Sequence, residues 1–122
     1  MSLGDVEITL ASHALIARLT GEIDMSNAEE IGATVIGATP NEASGVVLDL
    51  SGVDYLDSAG IYVVYGIRAS LQARGQNLIL VIPPESPVHD TLRLSGTGRP
   101  GETTETVDEA LRAIDGPSPA HG

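Results

Sequence analysis

Two nearly continuous apolar runs, Val46 to Leu50 and Leu78 to Ile82, flank a stretch of helical periodicity, and this arrangement leaves few folds open. A strand whose residues are apolar in succession is covered on both faces and belongs in the middle of a sheet. Between the two runs, Gly60, Val64, Ile67 and Leu71 recur on one stripe of a helix from about Ser58 to Arg74, and Gly75 is placed to end it. Strand, helix and strand in this order make a right-handed crossover, so the two strands run parallel.

The remaining elements attach to this unit. Val6, Ile8 and Leu10 alternate with polar residues, as do Leu15, Ala17 and Leu19 after a turn near Ser12 and His13, which predicts an antiparallel hairpin with one face buried. Ser26-Asn27-Ala28-Glu29 has the spacing of a capping box, opening a helix through Ile31, Val35 and Ala38. Ser86-Pro87 predicts the start of a third helix ending near Gly96, and Thr106 with Glu109 a second capping box before Val107, Leu111 and Ile114. A short edge strand is weakly marked near Glu102 to Glu105. The expected class is α/β, a mixed sheet of four to five strands with about four helices. The folded domain is expected over residues 4–115, with 116–122 as a flexible Gly/Pro/Ser tail.

A chain of 122 residues supports one core, here built from Val, Ile, Leu and Ala because Phe and Trp are absent. Seventeen acids against six arginines, with no lysine, give a formal charge of −11, which repels nucleic-acid backbones and anionic membranes. No apolar run approaches the ~20 residues of a membrane span and no basic leader opens the chain, so a cytoplasmic location is expected. Without cysteine there is no thiolate metal site, and His13, His89 and His121 lack ligand spacing, so no metal is expected.

The informative stretch runs from Val46 through Asp57-Ser58-Ala59-Gly60. A buried strand, a turn and then a helix place Asp57 and Ser58 at a helix N-terminus, where free N–H groups and the helix dipole favour an anion. Ser58 is therefore either an N-cap or an acceptor of phosphate, whose oxygens a helix start satisfies without refolding. Asp49 reads as a strand-end residue bonding nearby backbone. Tyr62 and Tyr65 lie off the apolar stripe and form either a contact surface beside Ser58 or packing against a neighbouring helix.

The order of Gly21-Glu22-Ile23-Asp24-Met25-Ser26-Asn27, Val47-Leu48-Asp49-Leu50-Ser51-Gly52-Val53, Asp57-Ser58-Ala59-Gly60 and Leu92-Arg93-Leu94-Ser95-Gly96 resembles the STAS domain family, and specifically bacterial anti-anti-sigma factors. The resemblance spans roughly residues 6–115. It implies a mixed sheet with a single layer of helices mainly on one face. It further implies phosphorylation of Ser58 by an anti-sigma factor serine kinase, with release of that partner, and resetting by a separate serine phosphatase. Asp24, Asn27, Asp57, Ala59, Gly60, Tyr62 and Tyr65 form the implied phosphosite neighbourhood and partner surface, Asp24 orienting the Ser58 hydroxyl or accepting its hydrogen bond. For Asp24 and Asn27 the alternative is ordinary turn and helix-start chemistry. Ala59 stands where many family members have a second serine, which leaves Ser58 as the single acceptor. The implied protein is a kinase substrate without a cofactor, a monomer or weak dimer.

Other functions fit less well. A receiver domain phosphorylated on aspartate and a phosphate-binding loop both need a lysine that this chain lacks. A serine hydrolase needs a Gly-x-Ser-x-Gly elbow, and Asp57-Ser58-Ala59-Gly60 lacks its first glycine. The remaining alternative is a STAS scaffold that binds constitutively, without a phosphorylation cycle.

Overall fold

The structure, a computed structural model, describes residues 4–11, 13–96 and 102–115. Its elements are β1 (Asp5–Leu10), β2 (Ala14–Ile23), α1 (Ala28–Ala38), β3 (Gly45–Leu56), α2 (Ser58–Ala73), β4 (Asn77–Val81), α3 (His89–Leu94), β5 (Thr103–Thr104) and α4 (Val107–Asp115). The strands lie side by side in chain order, β1 antiparallel to β2 and every later neighbour parallel. The predicted hairpin, the crossover and the edge strand are all present.

Side-chain alternation on the central strands sorts the core into two layers. Leu15, Ala17, Leu19, Val46, Leu48, Leu50, Leu78 and Leu80 face α1, α2 and α3, where Ile31, Val35, Val64, Ile67, Leu71 and Leu92 complete the packing. Ala14, Val47, Ile79 and Val81 face the opposite way, against Ala110 and Ile114 of α4. Three helices therefore share one face and α4 alone covers the other. This explains why β3 and β4 are apolar at successive positions while β1 is not. In β1, Val6 and Ile8 are only partly buried and Leu10, expected inside, is 64% exposed, because the inner helix layer does not reach the end of the edge strand.

Several expected boundaries move. Ser26 does not cap α1; Asn27 occupies the cap position without a side-chain cap bond, and the Ser26 hydroxyl donates to Asp24 instead. A carboxylate two residues away competes better for that hydroxyl than the helix N–H groups do. Helix α3 begins at His89, not at Ser86-Pro87, whose serine oxygen accepts the Val88 N–H at 3.3 Å inside a turn. Thr106 does cap α4, its hydroxyl accepting from Glu109 N at 3.2 Å and donating to the Glu109 carboxylate. The polar segment Thr97 to Gly101 lies outside the described residues.

The largest difference concerns the stretch between Leu50 and Asp57, expected as the turn that leads from the buried strand into the helix. Strand β3 continues through it to Leu56, and its register against β2 shifts between Asp49 and Gly52 and again between Val53 and Tyr55, each time inserting one extra residue in β3. Asp49, buried within the strand and not at its end, stabilises the first irregularity by accepting the Ser51 N–H at 3.0 Å. Bulges of this kind bend a strand and redirect the chain beyond it. Here they bring Asp57 alongside β2, where its N–H bonds the Ile23 carbonyl at 3.2 Å.

Candidate functional site

The site is the junction of two chain crossings, the loop from β2 to α1 and the step from β3 to α2. Asp57 holds them together. Its backbone is extended (φ −91°, ψ −173°), as an N-cap requires, and one carboxylate oxygen accepts the Gly60 N–H at 3.0 Å. The other accepts the Met25 N–H across the junction at 3.3 Å. Replacing Asp57 by alanine removes both bonds, and chemical denaturation should show a loss of about 0.5–2 kcal/mol, the usual range for a lost cap.

Because Asp57 is the cap, Ser58 is not. It is the first helical residue of α2, exposed, and its hydroxyl makes no hydrogen bond within the described residues. Gly60 seats this helix start: a Cβ there would lie 2.5 Å from Leu56 Cδ1 and 3.3 Å from Ile23 Cγ2, so only glycine lets α2 approach the ends of β2 and β3 this closely. Ala59 is half-buried between them.

The loop acid has a local role. One Asp24 oxygen accepts both the Ser26 N–H, at 2.9 Å, and the Ser26 hydroxyl, and the Asp24 carbonyl receives the N–H groups of Asn27 and Ala28. Asn27 closes the loop from the other side, accepting the Asp24 N–H at 3.0 Å and donating to the Glu22 carbonyl at 2.9 Å. The expected bond from Asp24 to the Ser58 hydroxyl is not formed. Turn chemistry thus accounts for both residues, and their contribution to the site is its shape.

The Ser26 hydroxyl, followed by the Ser26 N–H, holds the Asp24 carboxyl below the usual carboxylate range. A lowered folded-state value means that this loop's stabilisation is present above the ordinary carboxylate pKa and is lost as pH falls through the lowered one. An NMR titration should show Asp24 protonating below the usual carboxylate range, and Ser26→Ala should move it upward.

Tyr62 and Tyr65 have different roles. Tyr62 is 78% exposed one turn beyond Ser58, and Met25, 83% exposed, stands on the loop across from it. Tyr65 instead donates its hydroxyl to the Ser95 carbonyl beyond α3, and the Arg68 guanidinium lies 6.0 Å from its ring centroid. Arg68 in turn pairs with Glu102 at 2.7 Å. Tyr65 thus ties α2 to its neighbours, while Tyr62 stands exposed on the helix surface. Sequence reasoning misses Met25, whose only signal is an apolar side chain in an otherwise polar turn.

Among the described residues no group of histidines and carboxylates is arranged to hold a metal, and no helix is long and apolar enough to cross a membrane. What fold and site define together is a small α/β domain with an exposed serine at the start of a helix capped by Asp57. The chain belongs to the STAS domain family, whose model matches residues 5–110. It is 34% identical over 83 residues to BtrV of Bordetella bronchiseptica, whose name provisionally makes it an anti-sigma factor antagonist, covering 67% of this chain and 70% of that protein. It is 27% identical over 103 residues to the anti-sigma F factor antagonist of Lysinibacillus sphaericus, covering 84% and 86%. The fold matches that of the anti-sigma factor antagonist SpoIIAA of Bacillus in its unphosphorylated form, with a TM-score of 0.73 at 23% identity over 90% of this chain and 96% of that one. The phosphorylated form matches with a TM-score of 0.64 at 22% identity, over 90% and 99%.

Proposed function

We propose that this protein is an anti-sigma factor antagonist that binds an anti-sigma factor with serine-kinase activity while Ser58 is unmodified, and is released when Ser58 is phosphorylated. The observation that carries this reading is the position of Ser58: Asp57 does the capping, so the serine is exposed and its hydroxyl makes no hydrogen bond among the described residues. Similarity to proteins named as antagonists of anti-sigma factors supports the partner class.

In the modification step the kinase transfers the γ-phosphoryl group of ATP to Ser58 Oγ. The new P–O bond forms as the bond to the β-phosphate oxygen breaks, ADP leaves, and the hydroxyl proton passes to a base of the kinase. The product carries roughly −1.5 to −2 charges at a helix N-terminus, which accommodates them locally. The cost falls on the interface, where a dianion beside Asp57 must lose its water for the partner to stay. While unmodified and bound in the cytoplasm, the protein keeps the anti-sigma factor from its sigma factor; a separate phosphatase resets the cycle.

Intact-mass measurement and peptide mapping after incubation with ATP and candidate anti-sigma kinases should show a single phosphate, on Ser58. Binding to such a kinase with no phosphate incorporated would favour a constitutive scaffold.

A further inference from the structure

Strand β1 ends the sheet on one side, and its outer edge carries no further strand among the described residues. The direction of its hydrogen-bonding groups follows from the hairpin. The Ala11 N–H donates to the Ala14 carbonyl at 2.8 Å, and opposed residues of an antiparallel pair alternate between bonded and non-bonded positions. Asp5 with Thr20, Glu7 with Arg18 and Thr9 with Ile16 are therefore the bonded pairs. Val6, Ile8 and Leu10 point their N–H and C=O groups away from β2. The Val6 N–H agrees with this, because it bonds the Asp5 carboxylate at 2.9 Å and not the ladder. The same three residues share the face packed by α1, Val6 and Ile8 partly buried against the core and Leu10 64% exposed.

An open edge of this kind is a template for another strand, and register and charge together select a second copy of this chain. Antiparallel pairing about a two-fold axis at Ile8 sets Ile8 against Ile8 and Val6 against Leu10 of the second copy. Each outward N–H then meets an outward carbonyl, and the exposed Leu10 gains an apolar neighbour. In the same register Glu7 stands opposite Thr9 and Asp5 opposite Ala11, so no acid directly faces an acid, and Glu7 keeps Arg18 beside it on β2. An axis one residue earlier would set Glu7 against its own copy, which is unfavourable. We propose that β1 is a self-association edge, two copies pairing β1 to β1 about Ile8 so that one sheet continues through both. This surface is separate from the phosphorylation cycle and does not depend on it. The formal charge of −11 on each copy opposes association, and Asp5 already satisfies one outward donor, so the dimer is weak.

Analytical ultracentrifugation of the full chain should show a reversible monomer–dimer equilibrium that tightens about threefold or more as salt is raised from about 20 to 500 mM and screens the repulsion. Leu10→Glu, at a position exposed in the monomer, should melt within a few degrees of the wild type and weaken the dimer about tenfold or more. Asp5→Ala, which removes a charge and the competing acceptor of the Val6 N–H, should tighten it. Leu94→Glu, 81% exposed on α3, should leave it unchanged. Because the chain has no cysteine, oxidative cross-linking reads the register. Glu7 and Thr9 of the second copy would be opposed at about 4.5 Å between Cα atoms, within disulfide reach, whereas like positions lie on diagonals of roughly 7–8 Å, beyond it. A mixture of Glu7→Cys and Thr9→Cys should therefore cross-link, and each variant alone should not. A chain that stays monomeric at millimolar concentration in high salt would overturn the proposal and leave the edge for a strand of another protein. A dimer indifferent to Leu10→Glu, or cross-linked as readily in either cysteine variant alone as in the mixture, would overturn this edge as its seat.

Discussion

A Ser58→Asp variant should lose affinity for the anti-sigma factor by about 100-fold or more while melting within a few degrees of the wild type. Ser58 is the first residue of α2 and, among the described residues, makes no side-chain bond that the substitution could break. A carboxylate at a helix N-terminus is favourable for the folded domain, by roughly 0.3–1 kcal/mol. In the complex the same charge is dehydrated against a surface already holding Asp57, at an effective cost of several kcal/mol, and each ~1.4 kcal/mol is tenfold in affinity. Ser58→Ala should bind like the wild type and incorporate no phosphate. Calorimetric titration of the two variants separates the switch from its rival, since a constitutive scaffold would bind all three proteins alike.

The second large effect concerns stability. Leu48 is fully buried in β3, paired in register with Ala17 on one side and Leu80 on the other, beneath the α1 and α2 layer. Both neighbouring strands are fixed by their own ladders, so the space left by Leu48→Ala cannot close. Thermal and chemical unfolding should show a loss of about 2–5 kcal/mol, lowering the melting temperature by roughly 10–20 °C. Domains of this size typically have 5–15 kcal/mol in total, so the variant should fold but only marginally. A loss below about 1 kcal/mol would mean that the sheet centre relaxes far more than its pairing implies.

Local patterns are legible where one short-range force dominates. The two apolar runs, the stripe Gly60, Val64, Ile67 and Leu71, the αL position of Gly75 at φ +74° and the Thr106 cap are each decided within a few residues. Expectations fail where two local partners compete or where distant chain intervenes. Ser26 has both the helix N–H groups and Asp24 within reach, and the carboxylate wins. Ser51-Gly52 has the composition of a turn, yet β2 lies alongside and supplies a ladder that carries the strand through it. Tyr62 and Tyr65 share a helix face, and only the carbonyl of Ser95, thirty residues on, separates their roles.

The same division holds for the site. The sequence by itself determined that a helix starts at the end of a buried strand, that Ser58 stands at that start, and that the surface is acidic, because periodicity, helix-end chemistry and charge are written residue by residue. Only the tertiary structure decided that Asp57 rather than Ser58 caps the helix, that Asp24 and Asn27 shape the loop without touching the serine hydroxyl, and that a trough opens between α1 and α2 beside it. Those outcomes depend on which groups the sheet register brings within hydrogen-bond distance and how closely two helices pack, and both are set by contacts between residues far apart in the chain.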